Sequence, residues 1–114
     1  MPFPGWDFFD EPEVADIDTA TREREAARAQ SVPAKVPTDP IALHDERRRT
    51  VPVTILSGSM DAEQYEIEIA QWGRFAEEWH AIEDREVIRL GTGHWPQFSR
   101  PDALAEAILA AIDR

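Results

Sequence analysis

From residue 51 onward the apolar positions fall into four blocks with different periods. VPVTILSG (51–58) is continuously apolar and β-branched and ends in glycine, which predicts a strand buried on both faces. From Asp61 to about Ile82 the period changes. Ile69, Trp72, Phe75 or Ala76, and Trp79 recur every three to four residues while Glu66, Glu77 and Glu78 fall elsewhere, so a single amphipathic helix is expected. Gly73 weakens its interior. EVIRLG (86–91) reads as a second short strand. After the loop TGHWPQFSR, residues 101–113 read as a last helix with Leu104, Ala107, Ile108, Ala111 and Ile112 on one stripe. Ser99 and Asp102 resemble a capping box at its start. Strand, helix, strand and helix at this spacing form a βαβ unit with parallel strands, and the fold class is α/β.

The first fifty residues follow another pattern. Six of the nine prolines lie in the first forty, each removing a backbone donor and pushing the residue before it away from helix. Short helical pieces joined by irregular chain are therefore expected. Thr19 to Gln30 is rich in helix formers, with Asp18 or Thr19 placed to cap it, and Val14 and Ile17 extend its stripe upstream. Asp39 to Arg49 reads as one short helix with Pro40 in its first turn. Phe3, Trp6, Phe8 and Phe9 crowd the start of the chain and must pack on something or form an adhesive patch. The chain divides on this basis into a helical, proline-rich segment, 1–50, and a βαβα segment, 51–114. Two parallel strands under one helix layer leave two edges and one sheet face bare, and nothing in 1–50 supplies a third strand.

Length and charge narrow the function classes. A chain of 114 residues suits one domain with a modest core. A net charge of −11 repels DNA, RNA and anionic lipid, so neither nucleic acid nor membrane is an expected partner. With no cysteine, disulfides, thiol nucleophiles and thiolate metal sites are excluded. No apolar run reaches the roughly 18–20 residues of a membrane span, and the aromatic, acidic start is not a signal peptide, so the expected location is the cytoplasm.

Two side chains carry the chemistry. Asp61 follows ILSGSM and His94 lies in GTGHWP, each just past a predicted strand, where parallel α/β sheets collect their catalytic groups. Neighbouring strands bring the two turns together, and a carboxylate on imidazole Nδ1 leaves Nε2 as a base. The bland alternatives are a helix-capping aspartate and a structural loop histidine. Trp95 either lines a substrate pocket or packs. His44 reads as solvated and His80 as part of an acidic helix face. The run Arg47–Arg49 complements a helix end. No close-spaced ligand pair indicates a metal, and no cofactor is implied.

VPVTILSGSMD, then a helix, then VIRLGTGHWPQFSRPDALAEAI resembles the C-terminal third of an α/β-hydrolase. GHWPQFSRP before an amphipathic helix is similar to the histidine loop of the methylesterase and hydroxynitrile-lyase-like branch. The resemblance covers about 50–114. It implies that Asp61 and His94 are the acid and histidine of a Ser–acid–His triad acting on an ester-like substrate, and that 1–50 is the end of a cap. The family nucleophile sits on a G-x-S-x-G elbow that is missing here, and Ser57 and Ser59 in SGSM do not fit it. The resemblance therefore implies a truncated esterase-like protein, inactive alone. The alternative is a non-catalytic module, a dimer or a complementing chain, that pairs with another polypeptide through its open sheet.

Overall fold

The structure is a computed structural model and describes residues 1–112. Its centre is a pair of parallel strands, β1 (Val53–Ser57) and β2 (Arg85–Arg89), in register from Val53 opposite Arg85 to Ser57 opposite Arg89. The expected βαβ unit is present, and the fold is a small α/β arrangement. Pairing continues beyond both ends of the strands. Val53 N–H donates to the Asp84 carbonyl at 2.9 Å, and Leu90 N–H donates to Ser57 at 2.7 Å.

The connection between the strands is two helices, α3 (Ala62–Ile69) and α4 (Arg74–Ala81), where the periodicity predicts one. Gly73 makes the break: its φ of 54° is a left-handed conformation that glycine adopts without a Cβ penalty. The break re-phases the stripe. Ile69, Ala76 and Trp79 are buried, whereas Trp72 and Phe75 are left 52% and 58% exposed. One carboxylate ties the two pieces together. Glu66 accepts from the Trp79 indole at 2.8 Å and meets His80 Nε2 at 2.8 Å. The indole bond, then the histidine, hold that carboxyl below its ordinary range.

The core under β1 and β2 is Ile69, Ala76 and Trp79, with Val53, Ile55, Tyr65, Ile82 and Val87 packed around it. Alternation along the strands sends the remaining residues to the opposite face, where Thr54 hydroxyl donates to Glu86 at 2.9 Å. Burial of β1 on both faces is therefore a correction: along the strand only Ser57 is buried and the rest are half-buried, because helices α3 and α4 cover one face.

The helix expected over 39–49 is also corrected. Residues 39–45 are irregular, and a 3-10 turn spans Glu46–Thr50. Ile41 and Leu43 have no face to bury, at 84% and 57% exposed, so little favours the helical form. Arg48 and Arg49 instead reach across to Glu78, at 2.8 and 3.1 Å.

The amino-terminal helices are α1 (Glu11–Val14) and α2 (Thr19–Arg28). Asp18 caps α2 through Thr21 N–H, as its position predicts. Val14 and Ile17 are the most buried apolar residues, at 2% and 3% exposed. Arg22 closes the bend between the helices by donating to the carbonyls of Val14 and Ile17. After β2 come a one-turn helix, α5 (Pro96–Ser99), and α6 (Pro101–Ile112). Asp113, the predicted end of the last helix, lies outside the described residues. Ser99 ends α5 and donates back to the Trp95 carbonyl at 3.4 Å, so it is not the cap of α6. On α6, Leu104 and Ala107 are half-buried, but Ile108, Leu109 and Ile112 are exposed.

Candidate active-site rim

Both carboxyl-end turns of the sheet close on one cleft of about 560 Å³. Its walls include Leu56 to Met60 from the β1 side, Thr92 to His94 from the β2 side, and Pro12 and Glu13 from α1. Two glycines let these backbones meet. Thr92 N–H donates to the Gly58 carbonyl at 2.8 Å, and a Cβ on Gly58 would collide with the carbonyl of Gly93. A Cβ on Gly93 would in turn collide with the carbonyl of Glu13 and the carboxylate of Asp16. The histidine loop is thus sandwiched between the β1 turn and α1.

His94 stands in that sandwich. Its N–H donates to the Glu13 carbonyl at 2.8 Å, and its Nδ1 lies 3.8 Å from Glu13 Oε1. The imidazole is 60% exposed, open to solvent on its remaining side. Next to it, Gly93 N–H donates to Asp16 Oδ2 at 2.8 Å. Burial pushes the Asp16 carboxyl up, but the hydrogen bonds from Gly93 and Ser99 and the Arg22 charge outweigh it and hold the group below its ordinary value.

Asp61 is at the carboxyl end of β1, as the sequence predicts, and serves as the N-cap of α3. Its Oδ1 accepts from Gln64 N–H at 2.9 Å, and Gln64 Oε1 accepts from Asp61 N–H at 3.1 Å. That reciprocal pair is a capping box. Among the described residues, no hydrogen bond or ion pair links Asp61 to His94, and the carboxylate facing Nδ1 belongs to Glu13. Ser57 is buried and its hydroxyl accepts from Met60 N–H at 3.0 Å, bracing the turn.

Comparisons with family models, curated proteins and solved structures return no match to this chain.

Trp95 turns to the other side of the loop. Its ring centroid lies 5.8 Å from Trp6, 5.3 Å from Phe9, 6.1 Å from Phe98 and 5.1 Å from His94. The crowded aromatics at the start of the chain therefore pack on the histidine loop, with Phe3 against Trp6 at 5.1 Å and the Trp6 indole donating to Arg22 at 2.6 Å. Phe8 alone of the four stays largely outside, 72% exposed. Edge-on pairs such as Trp6–Trp95 and Phe9–Trp95, and the stacked Trp95–Phe98 pair, add about 0.5–1.5 kcal/mol each beyond their buried area.

Glu13 and Asp16 are the rim residues that sequence reasoning misses. A signal was available: Asp10 and Glu13 stand three apart around Glu-Pro, and they form a capping box in which Glu13 Oε2 accepts from Asp10 N–H at 3.0 Å. That pattern marks a helix start, not a partner for a loop 80 residues away. Among the described residues no helix is long and apolar enough to cross a membrane, and no group of three histidine, aspartate or glutamate residues is arranged to hold a metal.

Proposed function

We propose that this chain is the histidine-bearing C-terminal part of an esterase-like α/β-hydrolase, silent by itself because its sequence has no G-x-S-x-G elbow. The observation that supports the reading is the parallel β1–β2 pair whose two carboxyl-end turns meet at one cleft with His94 on its wall. In the reaction, Nε2 of His94 takes the proton of a serine hydroxyl as that oxygen attacks an ester carbonyl, then returns it to the departing alcohol. A rim carboxylate keeps the imidazole in the required tautomer and stabilises the imidazolium; the family resemblance assigns that part to Asp61. Trp95 flanks the imidazole at 5.1 Å but packs on Trp6, Phe9 and Phe98, so in this reading it supports the histidine loop and the substrate is met by the cleft wall. Without the serine there is no covalent route, and without oxyanion donors the rate falls by roughly another 10²–10³-fold.

Two assays test this. The purified chain should hydrolyse short-chain aryl esters no faster than its His94→Ala variant. A chimera in which residues 1–112, with Glu13 and α1 retained, replace the cap end and the corresponding strand–helix–strand–helix unit of an active esterase should recover turnover and lose it on His94→Ala. A chimera that folds, by its thermal melt, yet shows no turnover that depends on His94 would overturn the assignment, and His94-dependent turnover by the isolated chain would overturn the silence.

A second reading is favoured by the surface of α6 and the width of the sheet. Among the described residues the sheet has two strands, and Leu109 and Ile112 are 63% and 71% exposed. A non-catalytic module that pairs with another chain would present such surfaces. Light scattering should then report a dimer or a hetero-complex; a cooperative monomer counts against it.

A further inference from the structure

We propose that Glu13, on the amino-terminal helix α1, is the positioning carboxylate of His94, in place of Asp61. Three observations carry this. Glu13 meets the histidine loop twice, accepting His94 N–H at its backbone carbonyl at 2.8 Å and facing Nδ1 with Oε1 at 3.8 Å. Its other oxygen, Oε2, is held by Asp10 N–H at 3.0 Å, which orients the carboxylate so that Oε1 is the atom presented to the imidazole. Asp61, meanwhile, is committed to Gln64 by the reciprocal cap of α3.

The main chains of Glu13 and His94 are already locked together, so a side-chain movement of about one ångström at the tip closes the 3.8 Å gap to a hydrogen bond of about 2.8 Å. Catalytic hydrogen bonds are commonly loose before substrate arrives and tighten afterwards. With its proton on Nδ1 and directed to Glu13, the imidazole keeps Nε2 as its basic atom. Asp16 and the glycine at 93 serve the same grip: Asp16 holds the Gly93 N–H, and the missing side chain at 93 lets the loop lie against the Glu13 carbonyl. The carboxylate thus comes from the opposite end of the chain to the strand turn that the family resemblance assigns.

This inference rests on the reading of His94 as a base, but its test does not use turnover. The tautomer of the neutral His94 imidazole is read from its two ring nitrogen-15 shifts in the labelled full chain. In the wild type the Nδ1–H form should dominate, against the preference of free histidine for Nε2–H. Glu13→Ala should lower the ratio of Nδ1–H to Nε2–H at least twofold, while Asp61→Asn leaves it unchanged. Where alanine unfolds the loop, Glu13→Gln keeps the shape without the charge and is read for the same loss. A ratio indifferent to Glu13, or one that moves with Asp61→Asn, overturns the proposal. A tautomer set by Glu13 in a chain whose esterase chimera shows no turnover would leave the positioning intact and remove the hydrolase reading.

Discussion

The turns that leave β1 and β2 sit side by side at the same end of the sheet, yet they are held in different ways. The β1 turn is self-sufficient: Ser57 takes the Met60 N–H, and Asp61 and Gln64 cap each other within four residues. The β2 turn has almost no local support. Its glycine-rich backbone is fixed from outside, by Gly58 of the β1 turn, by Glu13 and Asp16 of the amino-terminal helices, and by the Trp6 and Phe9 rings on Trp95. A turn that satisfies its own polar groups is rigid wherever it is placed. A turn held by distant partners takes its shape only when the whole chain is folded, and it brings a carboxylate to the imidazole as it does so.

Substitutions should separate the two cases. The largest effect is expected at Gly93, where a methyl group drives into the backbone of Glu13; Gly93→Ala should cost about 3 kcal/mol in urea unfolding. Gly91 is the informative contrast. Nothing surrounds its missing Cβ, but its φ is 68°, so Gly91→Ala should cost only about 1 kcal/mol, from backbone strain. If the two cost the same, the loop is not clamped by α1.

Trp6→Ala should cost about 2 kcal/mol, below the range for a fully buried tryptophan because the ring is half-buried. It should also loosen the remote loop, seen as faster amide exchange at Gly93 and His94, whereas Phe8→Ala should do neither. Asp61→Ala removes a local cap and should cost about 1 kcal/mol, with exchange rising in α3 and not at the histidine loop.

The smallest effect is pH-dependent. The Asp16 carboxyl titrates below its unfolded value, so the unfolded chain binds its proton first. Its contribution to stability is complete above about pH 4 and is lost as the pH falls through the lower folded value. Solvent screens this exposed carboxylate, so Asp16→Asn should destabilise the protein by only a few tenths of a kcal/mol to about 1 kcal/mol at neutral pH, and the gap to wild type should close on acidification below about pH 4. A gap that widens in acid would reverse the assignment of Asp16 as a charged partner of Gly93.

The same contrast explains what could be read in advance. VTILS and REVIR form strands as their composition predicts, and Asp18 and Asp61 cap helices that begin one residue later, because strand propensity and capping both act between near neighbours; the parallel pairing follows from the strand–helix–strand order. The single helix over 61–82 failed at Gly73, where the periodic stripe outweighed a residue able to turn left-handed. The helix over 39–49 failed because propensity without a buried face does not hold eleven residues in helix.

From the letters alone came the parallel strand pair, the helices that flank it, and the placement of Asp61 and His94 just beyond the strand ends. Only the folded chain decided which carboxylate faces the imidazole and what covers the aromatic residues at positions 3–9. Strands, caps and turns are set by interactions a few residues apart, and these leave a signature in composition and spacing. The meeting of Glu13 with His94 depends on closing a loop of 81 residues, whose entropy the packing of Val14, Ile17 and the tryptophan cluster helps to offset, and no local pattern records it.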